Sequence, residues 1–216
     1  MALTFFHGQG SPYSWRVWLA LEHKAIAYDL KVLSFSAGDT TKPEFVAINP
    51  RHQVPTIVDG DFALWESTAI LEYLDERYAG TAPRLFPSEV RERARVRRLM
   101  REAESYLGKE ALEPLMLEYL FKDGAEPDAD KVAAALVRLD EELPYFAAEL
   151  RGAFLAGEAP GAADFVLYPA LAYVARLTVR KPETRLAERV PATLAQWVRR
   201  IEALPYYGKT YPPHWR

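Results

Sequence analysis

The stretch TFFHGQGSPYSWRVWLALEHK (residues 4–24) sets the frame for the chain. A short β-favouring run ends in two glycines, Ser11-Pro12 follows, and a helical pattern then places Val17 and Leu21, with Trp18 and Ala20 beside them, on one side. IAYDLKVL (26–33) returns to an alternation of β-formers. Strand, helix, strand in that order predicts a parallel pair joined by a right-handed crossover.

Working outward, SAGDTTKPEF is loop material with room for a short helix. VPTIV (54–58) and FALW (62–65) read as strands joined across Asp59-Gly60, a hairpin signal because a tight turn needs positive φ. ESTAILEYLDERY (66–78) is an amphipathic helix with Ile70, Leu71, Leu74 and Tyr78 on one side. Residues 1–78 therefore predict an α/β domain, a small mixed sheet with helices packed on it. AGTAPRLFPS (79–88) breaks the pattern and reads as a linker. Residues 89–216 read as an all-α helical bundle, with Ser88 and Asp128 as helix caps and Pro191 in a first turn.

Composition narrows the function classes. The chain has 216 residues, half of them hydrophobic, and a net charge of -3, which predicts neither nucleic-acid nor anionic-membrane binding. It has no cysteine, so disulfides, thiolate metal sites and a cysteine nucleophile are excluded. The four histidines are scattered and predict no metal site. The most apolar run, FVLYPALAYVA (165–175), is too short to span a bilayer, and the N-terminus lacks the pattern of a secretory signal, so the expected location is cytoplasmic. RERARVRRLMRE carries six arginines punctuated by glutamates, the pattern of a solvated helix face or a dimer seam.

Three stretches could carry chemistry. Ser11-Pro12 is by itself a helix start, with the serine accepting a backbone N–H and Pro12 losing no needed donor. The same helix end favours negative charge, and a hydroxyl there can donate to a thiolate. In INPRHQVPTIVDG, Val54-Pro55 opens a strand, where proline belongs at a start or an edge. Most X-Pro bonds are trans; a cis bond would turn the main chain of Gln53 and Val54 towards a peptide ligand. In LWESTAILEYL, Glu66 and Ser67 read as a first-turn acid and a cap, or as a grip on an α-amino-acid end: Ser67 on the carboxylate, Glu66 on the ammonium.

Together, SPYSWRVWLALEHK, NPRHQVPTIVDG and LWESTAILEYLDERY closely resemble the glutathione-binding domain of soluble glutathione transferases, and GEAPGAADFVLYPALAYVARL resembles their buried C-terminal helix. The resemblance covers essentially the whole chain. It implies a thioredoxin-like N-terminal domain, an all-helical C-terminal domain contributing the electrophile pocket, and a homodimer. It implies conjugation of glutathione, as co-substrate and without a prosthetic group, to small apolar electrophiles. The alternatives on the same scaffold are a non-catalytic binder or a specialised isomerase, dehalogenase or peroxidase.

Residue by residue, the resemblance makes Ser11 the hydroxyl that stabilises the glutathione thiolate, as in serine-type members, with Tyr13 as its rival and Ser14 behind both. It makes Pro55 the family's cis-proline and Val54 the partner of the cysteinyl backbone, with Gln53 beside it and His52 within reach. Glu66 and Ser67 become the γ-glutamyl grip. Tyr13, Tyr106 and Tyr119 are candidates for the electrophile pocket; Tyr106, Tyr119 and Phe121 read equally as packing. SWRV is similar to the zeta class, although Pro12 and Tyr13 replace two residues of that motif. Gly161 stands where the family has a Ser or Thr cap ahead of Asp164.

Overall fold

A computed structural model of the chain describes residues 3–80, 83–122 and 125–215. Residues 81 and 82 of the expected linker lie outside the described residues. The chain divides into two compact units: Met1–Phe86 with Pro205–Arg216, and Pro87–Leu204.

The first unit is built on a four-stranded sheet. β1 (Leu3–Gly8), β2 (Tyr28–Leu33), β3 (Thr56–Asp59) and β4 (Phe62–Trp65) lie in the order β2-β1-β3-β4. β1 and β2 are parallel, in the register Leu3 to Tyr28, and the other neighbours are antiparallel. The hairpin register pairs Asp59 with Phe62, so the turn residues are Gly60 and Asp61, and Gly60 supplies the positive φ of 66°. Helix α1 (Pro12–His23) is the crossover. It starts where Ser11 caps it and Pro12 fixes φ, and it buries Trp15, Val17, Trp18, Leu19 and Leu21. The short α2 (Pro43–Val46) buries Phe45, and α3 (Ser67–Arg77) buries Ile70, Leu71 and Leu74. Tyr78, expected on that apolar side, is instead the half-buried residue that ends α3. At the C-terminal end of α1 the buried Lys24 Nζ meets Asp75 Oδ1 at 3.3 Å and Pro83 O at 2.9 Å.

The end of the chain folds with this unit, whereas the sequence reading counts it in the helical domain. Tyr206 pairs with His23, Lys209 with Glu22, and Thr210 and Trp215 with Trp15. Aromatic burial against α1 places this segment, a pairing remote in sequence.

The second unit is helical: α4 (Val90–Glu102), α5 (Glu113–Leu120), α6 (Ala129–Ala148), α7 (Ala162–Arg180) and α8 (Ala192–Glu202). Three caps can be compared with the sequence reading. Asp128 caps α6 as expected. Glu89, not Ser88, caps α4, its carboxylate accepting from Glu92 N at 2.8 Å. Pro191 precedes the first turn of α8 rather than sitting in it.

Between α4 and α5, Ala103–Leu112 winds as a π-helix. Pro114 accounts for the wider turn: it has no N–H to donate, and in α geometry its ring would strike the carbonyl four residues back. The apolar run 165–175 lies in the 19-residue α7. That helix is long and apolar enough to cross a membrane, but 72% of its most apolar window is buried in the protein, so its apolarity serves the core. Asp164 is fully buried near the start of α7 and accepts from Leu155 N, Gly161 N and Trp197 Nε1 at 2.8–3.0 Å. Gly161 has no side chain to return the bond, so one half of a reciprocal cap remains.

Candidate glutathione site

Three loops of the first unit converge at the ends of β1 and β3. The first runs from Gly8 to Ser11. Ser11 N donates to Gly8 O at 3.1 Å, and Ser11 Oγ accepts from Ser14 N at 3.2 Å. The Ser11 hydroxyl, half-buried, thus acts as a cap through its oxygen while its own proton remains to be donated. Ser14 is fully buried and its hydroxyl meets His7 Nδ1 at 2.8 Å. Burial pushes the His7 imidazole down to about 4, so it is neutral at pH 7.

Gly8 is also where the second loop arrives. A Cβ at position 8 would lie 2.8 Å from Val54 Cγ2 and would overlap the ring of Phe35. This close approach leaves little room for a side chain at position 8 and brings the start of β3 against the Gly8–Ser11 loop. The Val54-Pro55 peptide bond is cis, as the family resemblance implies and against the commoner trans form. Among the described residues neither main-chain polar group of Val54 has a hydrogen-bond partner. The loop is held from beneath by Asn49. Its Nδ2 donates to Gln53 O and Thr56 Oγ1, both at 2.9 Å, and its Oδ1 accepts from Arg51 N at 2.9 Å. Asn49 and Thr56 are fully buried, while Gln53 and His52 are exposed.

The third loop joins β4 to α3. Glu66 takes φ 68°, ψ 105°, a region that side chains avoid, and its side chain makes no capping bond. Such a conformation costs on the order of 1–3 kcal/mol and persists where the surroundings impose it. Glu66 is exposed; Ser67, beside it, is buried and accepts from Arg16 Nη1 at 3.3 Å. Arg16, itself buried, also lies over the ring of Tyr13, 4.8 Å from its centroid. Through Arg16, α1 ties the first loop to the third.

The sequence-derived residues Ser11, Gln53, Val54, Pro55, Glu66 and Ser67 therefore lie on loops linked by direct contacts. Tyr13 sits in the first turn of α1, 41% exposed. Tyr106 and Tyr119 belong to the helical unit. Tyr106 is on the π-helix, 42% exposed, with the Arg138 guanidinium 4.9 Å from its ring centroid. Tyr119 is half-buried in α5, and burial raises its phenol pKa. Sequence reasoning passes over Asn49, Arg16 and Phe35. Asn49 precedes a proline and reads as turn material, and nothing local marks Arg16 or Phe35 as neighbours of loops remote in sequence.

Comparison with known proteins follows the same division. The family model described as Glutathione S-transferase, N-terminal domain matches residues 10–77, and that of the C-terminal domain matches residues 96–205. Glutathione S-transferase 3 of Zea mays is 31% identical, over 93% of this chain and 89% of that protein. Glutathione S-transferase A of Pleuronectes platessa is 28% identical, over 99% and 92%. The crystal structure of a glutathione S-transferase from the Antarctic clam Laternula elliptica covers 100% of this chain and 94% of its own, with 30% identity and a TM-score of 0.80. The architecture is the expected pair, a thioredoxin-like α/β domain and an all-helical one, and the chain belongs to the glutathione S-transferase family.

Proposed function

We propose that the first unit binds glutathione across the three loops and that Ser11 donates a hydrogen bond to the thiolate left when the thiol proton passes to solvent; the sulfur then forms a C–S bond to a small apolar electrophile, displacing a leaving group with its electron pair or adding across an activated double bond. The γ-glutamyl end is gripped by Glu66 on the ammonium and by Ser67 on the carboxylate. The cysteinyl backbone pairs with the main chain of Val54, beside Gln53 and within reach of His52. Tyr13 in the first unit and, separately, Tyr106 and Tyr119 in the helical unit are assigned to the electrophile by the family resemblance. The carrying observation is that Ser11 Oγ accepts from Ser14 N at 3.2 Å at the start of a helix, which leaves its proton for an anion.

The energies required are modest. Glutathione's free thiol, near pKa 8.5, is only a few per cent ionised at neutral pH. Lowering it by about two units takes about 2.7 kcal/mol of preferential anion stabilisation. A charge-assisted hydrogen bond and a helix N-terminus together reach that range. The bound sulfur then gains from proximity to its electrophile.

The test is an ultraviolet titration of the bound thiol against pH in the wild type, Ser11→Ala and Tyr13→Phe. A depressed pKa that rises in Ser11→Ala and not in Tyr13→Phe supports the assignment; the reverse transfers the role to Tyr13. A depressed pKa without turnover on any of a panel of electrophiles would make the protein a binder. A cytoplasmic homodimer belongs to the same proposal, supported by the family assignment and the lack of cysteine, and light scattering tests the dimer.

A further inference from the structure

We propose that His7 and Ser14 are positioning residues for the thiol loop, fixing Ser11 so that its hydroxyl proton is turned to the ligand's sulfur; this rests on the assignment of Ser11 as the thiolate donor. Ser14 is fully buried in the first turn of α1 and bonds both ends of the loop, Gly8 and Ser11. Its N–H goes to Ser11 Oγ at 3.2 Å, its oxygen takes the Gly8 N–H at 3.4 Å, and its hydroxyl meets His7 Nδ1 at 2.8 Å. One residue thus ties the end of β1, the loop and the helix start together. The imidazole that receives it is itself held, 4.6 Å from the Trp18 ring and 5.6 Å from that of Phe5.

The direction of the hydrogen bonds follows from the buried partners. His7 is neutral and carries one N–H. Its Nε2 and the side-chain carbonyl oxygen of Gln9 are both buried and without a hydrogen-bond partner among the described residues. The buried Ser14 hydroxyl meets one acceptor among the described residues, His7 Nδ1, its other side-chain partner being the Gly8 N–H, so Ser14 donates to Nδ1 and the imidazole carries its proton on Nε2. The Ser14 proton is then committed to His7 and its oxygen to Gly8, so Ser14 neither competes for a thiolate nor takes the proton of Ser11. Among the described residues the hydrogen bond that the Ser11 hydroxyl makes is the one it accepts from Ser14 N, so its proton is available to a ligand.

The test reads the pKa of the bound glutathione thiol together with the glutathione KM in the full-length protein. Ser14→Ala is expected to raise the thiol pKa by about one unit, leaving about threefold less thiolate at neutral pH, while KM stays within about twofold. Because Ser14 acts through Ser11, the double variant Ser11→Ala/Ser14→Ala should show no rise beyond Ser11→Ala alone. A Ser14→Ala protein with an unchanged thiol pKa, or a double variant in which the two rises add, overturns the inference. If Ser11→Ala is itself without effect, the donor assignment falls and takes this inference with it; if Ser11→Ala shifts and Ser14→Ala does not, only this inference falls. Should Ser14→Ala not fold, His7 decides. His7→Leu should raise the thiol pKa and His7→Asn, whose side-chain oxygen can replace Nδ1 as acceptor, should not; any other pattern overturns it.

Discussion

The Trp15 indole N–H donates to Thr210 Oγ1 at 3.0 Å, both groups buried, joining α1 to the last turns of the chain. The rings of Tyr207, Tyr211 and Trp215 surround the same indole at 5.6–6.3 Å. Thr210→Val keeps the shape and removes the acceptor, leaving a buried N–H unpaired at a cost of about 1–3 kcal/mol. The urea midpoint, followed by tryptophan fluorescence, should fall accordingly, while Thr210→Ser should stay near the wild type. A Thr210→Val midpoint equal to the wild type would mean that aromatic packing alone holds the segment.

Asn49 makes three hydrogen bonds inside the loop that carries Gln53 and Val54. Asn49→Ala removes them all, with an expected loss of roughly 2–4 kcal/mol at about 1 kcal/mol per bond plus the unpaired partners. The glutathione KM should rise more than kcat falls, because in the proposed function this loop binds the cysteinyl backbone and not the sulfur. Steady-state kinetics with varied glutathione checks this; a fall in kcat at constant KM would contradict it.

Two buried titratable groups act in opposite directions on stability in acid. His7 has its folded pKa pushed down to about 4 from 6.5, so between those values the unfolded chain takes up a proton that the native state refuses. Stability therefore falls as pH drops through that window, by about 3 kcal/mol at most. Burial raises Asp164 from 3.8 to about 6, so the native state takes the proton first and the penalty of holding its charge is relieved as pH falls. His7→Asn removes the first effect and leaves the second. Its urea midpoint should decline less between pH 6.5 and 4 than that of the wild type; parallel profiles would show that His7 is not buried in its neutral form.

Much of this site was legible because each stretch carries a local signal: a cap with Pro12, a proline at a strand start, an acid before a helix. The sheet was legible for the same reason, through the 2.0 and 3.6 periods and one hairpin glycine. What escaped depends on contacts between distant segments. Arg16 reads as one more helical charge until Ser67, 51 positions on, accepts its hydrogen bond. The aromatic segment from Tyr206 to Trp215 reads as an end to the helical domain until Trp15 supplies its partner. The π-helix escaped because Pro114 also reads as a residue of an ordinary first turn, and only the widened turn behind it shows the difference.

At Glu66 the carboxylate proposed to grip the γ-glutamyl end can be tested apart from the strained backbone that presents it. Its φ of 68° suits glycine, so Glu66→Gly should relieve local strain and leave the protein as stable as the wild type or about 1 kcal/mol more so, the relief exceeding the entropy cost of a freer unfolded chain. Glu66→Gln keeps the strained conformation and should not gain that stability. Both variants lose the carboxylate, so both should bind glutathione about tenfold or more weakly, the usual loss when a charge-assisted hydrogen bond is removed. Calorimetric binding beside urea unfolding distinguishes the two effects. If Glu66→Gly gains stability and keeps full affinity, the strain is incidental to binding and the ammonium is held elsewhere. If Glu66→Gln alone keeps affinity, it is a hydrogen bond at that place, rather than the charge, that the γ-glutamyl end requires.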